Sequence, residues 1–261
     1  MTSTAPYSNS AESRQQAVAR HAKCIKARSW LLSSFFLLFI FFGLTSPILP
    51  RAWQLGASGL EPVQLPNGLQ HVEPLTQGDL NLDGKPEKLS LNNGQALLYS
   101  GKNLVWQSPP EWSISQAALT DLNQDGQLEA TLLVWREFRP WPVDDWLPHG
   151  GRIATFHNAQ NQSCHIILIG WTRGAYRELW AGSALADPIV SFAAADLDGD
   201  GVQELATLEG SYTTHRSGIA HTLKIWRWNF FGFNAVSSIE GTFHQMALSI
   251  GSEGSLFVLT P

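Results

Sequence analysis

Three short stretches of this sequence place an oxygen-bearing side chain at every second position, a spacing suited to wrapping a cation. The first carries Asp79, Asn81, Asp83 and Glu87, the second Asp121, Asn123, Asp125 and Glu129, and the third Asp196, Asp198, Asp200 and Glu204. In each, a glycine (Gly84, Gly126, Gly201) follows the third of these residues and permits a sharp turn. The next residue, Lys85, Gln127 or Val202, can add its backbone carbonyl, and the glutamate two positions later completes the set. Calcium takes six to eight oxygens at about 2.3–2.6 Å in flexible geometry, which such a loop supplies, whereas magnesium needs a tighter octahedron and keeps its waters. Up to three structural Ca²⁺ ions are therefore expected. The third loop, with four carboxylates, is expected to bind most tightly.

The elements that hold these loops read as strands. An EF-hand would need a bidentate glutamate at position 12 between two helices. Position 12 is Ser90, Leu132 and Thr207 here, and the flanks are β-type, as in Ile189–Ala195 before the third loop and Glu204–Leu208 after it. Two more strand candidates follow each loop. They are Ala96–Tyr99 and Leu104–Gln107, then His165–Trp171 and Tyr176–Trp180, then Leu223–Trp228 and Phe233–Val236. Four strands per repeat is the blade of a β-propeller. A decayed fourth loop at 248–257 keeps the turn glycine, with Ser249, Gly251 and Phe257 where ligands would stand, and no ion is expected there. It supplies two strands before the sequence ends. Ala52–Leu55 and Glu61–Leu65 are expected to complete that blade, closing a small all-β ring of four and removing exposed sheet edges.

The pattern Asp-x-Asp/Asn-x-Asp-Gly-x-x-Glu between two strands resembles the FG-GAP and VCBS repeats of integrin-α-like propellers. The resemblance spans most of residues 71–261. It implies calcium in the hairpin loops, held by the residues named above, with a structural role at the rim of each blade.

Composition supports strands and places parts of the chain in different surroundings. Of 261 residues only 15% are charged, while 11 are Trp and 13 Phe. The first 28 residues sum to +4, so a net charge of −5 leaves −9 for the rest, which argues against a nucleic-acid binder. Residues 1–28 read as a disordered tail. Residues 29–50 carry no charge and are long enough to cross a bilayer as a helix. The basic cluster precedes them, so the tail should be cytoplasmic and residues 51–261 extracytoplasmic, tethered at the cell membrane by a single-pass anchor. A cleaved signal peptide is the competing reading; the long apolar run and the lack of a small-x-small site oppose it. Cys24 and Cys164 would lie on opposite sides of the membrane. Cys164 is expected to be a small buried residue.

A search for catalytic groups finds no nucleophile elbow and no phosphate-cradling glycine loop. His157 and His165 read as surface or satisfied core residues. One insertion, at about 136–162, breaks the repeat and gathers Arg139, Trp141, Asp144, Asp145 and Trp146 among prolines. It reads as a loop packed over the ring or as a contact for a protein or glycan ligand. The expected role is a calcium-stabilised binding or scaffolding module at a membrane. The alternative is an extracytoplasmic polysaccharide hydrolase or lyase that uses the ring as its frame.

Overall fold

Buried strands with apolar residues on both faces need a partner on each side, and this chain meets that need by stacking sheets around an axis. The computed structural model describes residues 51–140, 155–214 and 217–260. The chain begins there with β1 (Arg51–Gly56), β2 (Gly59–Val63) and β3 (Gln70–Val72). The first acidic repeat forms β4 (Gln77–Gly78), β5 (Glu87–Asn92), β6 (Gln95–Ser100) and β7 (Asn103–Gln107). The second forms β8 (Ser113–Thr120), β9 (Glu129–Glu137), β10 (Gln162–Thr172) and β11 (Ala175–Ala181). The third forms β12 (Ile189–Ala195), β13 (Glu204–Glu209), β14 (Ala220–Trp228) and β15 (Phe233–Phe243). Two last strands, β16 (Ala247–Ile250) and β17 (Leu256–Thr260), return to the start.

Each repeat is one antiparallel sheet in chain order, and the fourth sheet runs β2-β1-β17-β16-β3. The four sheets form a four-bladed β-propeller. Closure follows the expected route: β1 pairs with β17, with Trp53 opposite Val258, and β2 pairs outside it. The strand expected at Glu61–Leu65 starts earlier, at Gly59, and ends at Val63. A fifth strand in this blade, β3, was not anticipated; it adds to β16 through Val72, His71 and Gln70. Residues of β3, β8, β12 and β16 line a central cavity of about 410 Å³.

Period-two alternation assigns the core. On β9, Ala130, Leu132 and Val134 pack toward the first blade, while Leu133 packs toward the third. On β10, Ile167 and Ile169 face the first blade, and Cys164, Ile166 and Leu168 the third. On β14, Leu223 and Ile225 join the fourth blade, and Trp226 and Trp228 turn back toward the second. Both faces of β9 and β10 are therefore dry along most of their length, and each buried aliphatic side chain contributes about 1.5–3 kcal/mol. Cys164 is fully buried, as expected. Among the described residues no helix is long and apolar enough to cross a membrane, and the expected anchor over 29–50 lies outside them.

Candidate metal centres

The three acidic loops occupy equivalent places, each joining the first and second strands of its blade. Position 1 spans its loop in the same way each time. Asp79 accepts the Gly84 N–H at 2.8 Å, Asp121 the Gly126 N–H at 3.1 Å, and Asp196 the Gly201 N–H at 2.9 Å. Position 3 accepts the N–H of position 5, as in Asn81 to Asp83 (3.0 Å), Asn123 to Asp125 (3.1 Å) and Asp198 to Asp200 (3.2 Å). Position 5 accepts the N–H of position 7, from Lys85, Gln127 and Val202, at 2.9 Å in all three. These Asx-type bonds force left-handed backbone at position 6, where Gly84, Gly126 and Gly201 have φ of 83°, 80° and 89°. Position 4 is left-handed too, although it is Leu82 in the first loop and Gln124 in the second.

The glutamates at position 9 are the buried end of each loop. Glu87, Glu129 and Glu204 each open the second strand and are 0% exposed. One oxygen of each accepts the N–H of a buried leucine at position 2: Leu80 at 3.0 Å, Leu122 at 2.7 Å and Leu197 at 2.9 Å. The other oxygen separates the loops. Glu87 Oε1 and Glu129 Oε2 are buried without a hydrogen-bond partner, whereas Glu204 Oε1 accepts from Arg227. A buried carboxylate oxygen with nothing to balance it is costly. Burial pushes the Glu129 carboxyl up to about 8, despite the bonds from Leu122 and Thr120. The third such buried atom among the described residues is the Tyr176 hydroxyl, which lies beside Glu87, so that a small shift lets it donate to that carboxylate. Burial, then the neighbouring Glu87 carboxylate, raises its pKa. The donor sets of the first two loops are all-oxygen, the kind calcium takes, but among the described residues three carboxylates converge to within 4.8 Å in the third loop alone.

In the third loop, carboxylate oxygens of Asp196, Asp198 and Glu204 lie within 4.8 Å of one another, a cluster that could hold a metal ion. Here the Arg227 guanidinium reaches in from β14. Its Nη2 lies 2.6 Å from Asp198, 2.7 Å from Glu204 and 3.6 Å from Asp200. The bond to Asp198 is the main reason the guanidinium pKa is raised. Burial still raises the Glu204 carboxyl, but Arg227 opposes it.

The loops also touch one another around the ring. The Gln127 side chain donates to the Leu80 carbonyl of the first loop, and the Asp121 N–H donates to Gln203 of the third loop at 3.0 Å. In the fourth blade the corresponding turn is shorter. Gly254 keeps the left-handed φ, at 83°, while Phe257 is buried where the other blades carry glutamate.

The histidines behave as satisfied residues. His165 is buried, with Nε2 paired to Ser163 Oγ at 2.7 Å and Nδ1 to the Gly182 carbonyl at 2.9 Å. His157 pairs with the Asn158 carbonyl and packs on Phe138 at 4.9 Å. The aromatic insertion leaves from the end of β9 and returns at the start of β10, so it departs from the end of β9 opposite the second acidic loop. Its residues Trp141, Asp144, Asp145 and Trp146 lie outside the described residues. Sequence reasoning missed Arg227. The signal was its place: the register that pairs Leu205 with Trp226 puts Arg227 opposite Glu204.

No protein-family model matches the chain, and no curated protein is similar to it in sequence.

Proposed function

We propose that this chain is a membrane-anchored, extracytoplasmic propeller of the FG-GAP/VCBS type that acts as a binding or scaffolding module, with structural calcium in its acidic loops. The observation that carries the metal reading is the buried carboxylate oxygen of Glu129 that has no hydrogen-bond partner; the corresponding oxygen of Glu87 has only the Tyr176 hydroxyl beside it. A divalent cation converts each from a destabilising group into a cross-link between the start and the end of its hairpin. The anchor rests on the uncharged run at 29–50 and the basic residues before it.

A binding role is supported by surface as well as by fold. Phe230 and Phe231, at the tip between β14 and β15, are 93% and 88% exposed. Behind them Trp180, Trp228 and Phe233 stack edge to face at 5.2–5.6 Å, and Trp180 Nε1 holds the Phe231 carbonyl at 2.8 Å. Exposed aromatics on a rigid base suit a protein or glycan ligand. Full-length protein applied to glycan and peptide arrays in calcium tests this. Binding that is lost in a Phe230→Ser/Phe231→Ser variant with an unchanged melting temperature supports the reading. Turnover of a polysaccharide that is abolished by Asp144→Ala favours an enzyme instead.

A further inference from the structure

The three acidic loops are equal in backbone and unequal in what stands across from their buried glutamate. In the first blade, Glu87 of β5 pairs with Ser100 of β6. In the second, the register that pairs Ala130 with Ile169 puts Gly170 opposite Glu129, and a Cβ there would meet Leu179 at 2.4 Å, so the position takes no side chain without displacing that leucine. In the third, the equivalent residue is Arg227. Neither a glycine nor a serine reaches far enough to bring charge into the loop. An arginine does, and its fork finds acids at positions 3, 5 and 9 of its own loop.

We infer that Arg227 is the resident cation of the third loop, so that a divalent ion is required by the first and second loops alone. The inference rests on the calcium reading of those two loops. Two independent observations meet in it. The glutamate oxygen that has no partner in the first and second loops accepts both Nε (2.9 Å) and Nη2 (2.7 Å) of Arg227 in the third. Position 3, which is Asn81 and Asn123 in the first two loops, is Asp198 in the third, and this additional carboxylate takes the shortest bond to the guanidinium, at 2.6 Å. The extra acid thus follows from the arginine: a guanidinium gains most from a charged oxygen in its plane. The four carboxylates that make the third loop look like the best calcium site on paper serve a tethered cation that cannot diffuse away.

Equilibrium dialysis of the full-length protein against calcium chloride tests this, with Arg227→Gln and Asp198→Asn variants beside the wild type. The expected result is two ions per chain in the wild type, two in Asp198→Asn and three in Arg227→Gln. Melting in EDTA should show Arg227→Gln below the wild type, with calcium restoring more to the variant than to the wild type. Three ions in the wild type, falling to two in Asp198→Asn, overturn the inference and leave the calcium reading standing. An Arg227→Gln protein that folds and still binds two also overturns it. No ion in the wild type with one in Arg227→Gln supports the tethered cation and sinks the calcium reading of the other loops. No ion in either defeats both.

Discussion

Trp53 and Thr260, 207 residues apart in sequence, share a buried hydrogen bond of 2.9 Å from the indole Nε1 to the hydroxyl oxygen. The bond sits where β1 lies against β17, so it fastens the first described strand to the last and closes the ring.

Trp53→Phe should therefore destabilise the ring by about 1–3 kcal/mol, since it leaves a buried hydroxyl with one partner fewer and a small void. Urea denaturation measures this. A change within error would mean that closure does not depend on the Trp53–Thr260 contact.

Glu129→Gln is expected to act in opposite directions with and without metal. In EDTA above pH 8, where the buried carboxyl is ionised, the amide keeps an acceptor for the Leu122 and Thr120 bonds and removes an unbalanced buried charge, so stability should hold or rise. In calcium the variant should lose the gain from one site, about 2.7 kcal/mol at a hundredfold excess over Kd. Paired thermal melts decide it; equal losses in both conditions would point to a packing role instead.

Much of this ring was legible in the sequence because its repeat combines turn chemistry with strand periodicity. The Asp and Gly positions gave the hairpins, and apolar runs such as His165–Trp171 gave the strands. Phe257 in place of a glutamate marked the decayed blade whose missing strands lay at the other end of the domain. Other features left no such mark. Gln70–Val72 is too short and polar to announce itself as β3, and it exists because the inner edge of β16 accepts it. Arg227 sits in a strand, 23 residues beyond Glu204, and only the pairing of β13 with β14 reveals that the two meet.

Leu82 occupies the left-handed region, at φ 59°, and is 69% exposed, where the third loop has Gly199. Leu82→Gly should relieve that strain and stabilise by about 0.5–1 kcal/mol, whereas Gly126→Ala at φ 80° should cost about 1 kcal/mol. Both are read from denaturant midpoints. A Leu82→Gly variant less stable than the wild type would contradict the shared geometry of the loops.

His165 contributes a pH dependence of known sign. Burial lowers its pKa from 6.5 to about 4, so between those values the unfolded chain binds the proton that the folded ring refuses. Its contribution is complete above pH 6.5 and is lost as pH falls toward 4, by about 3 kcal/mol in all. His165→Gln should flatten the stability profile in that window. An unchanged slope would show that another group carries the titration.

The melting temperature of the full-length protein in EDTA and in excess calcium tests the metal-stabilised ring most directly. Two sites saturated well above Kd should raise it by an amount on the order of 10 °C for a ring of this size, and EDTA should reverse the gain. A melting temperature that neither calcium nor EDTA moves would contradict it.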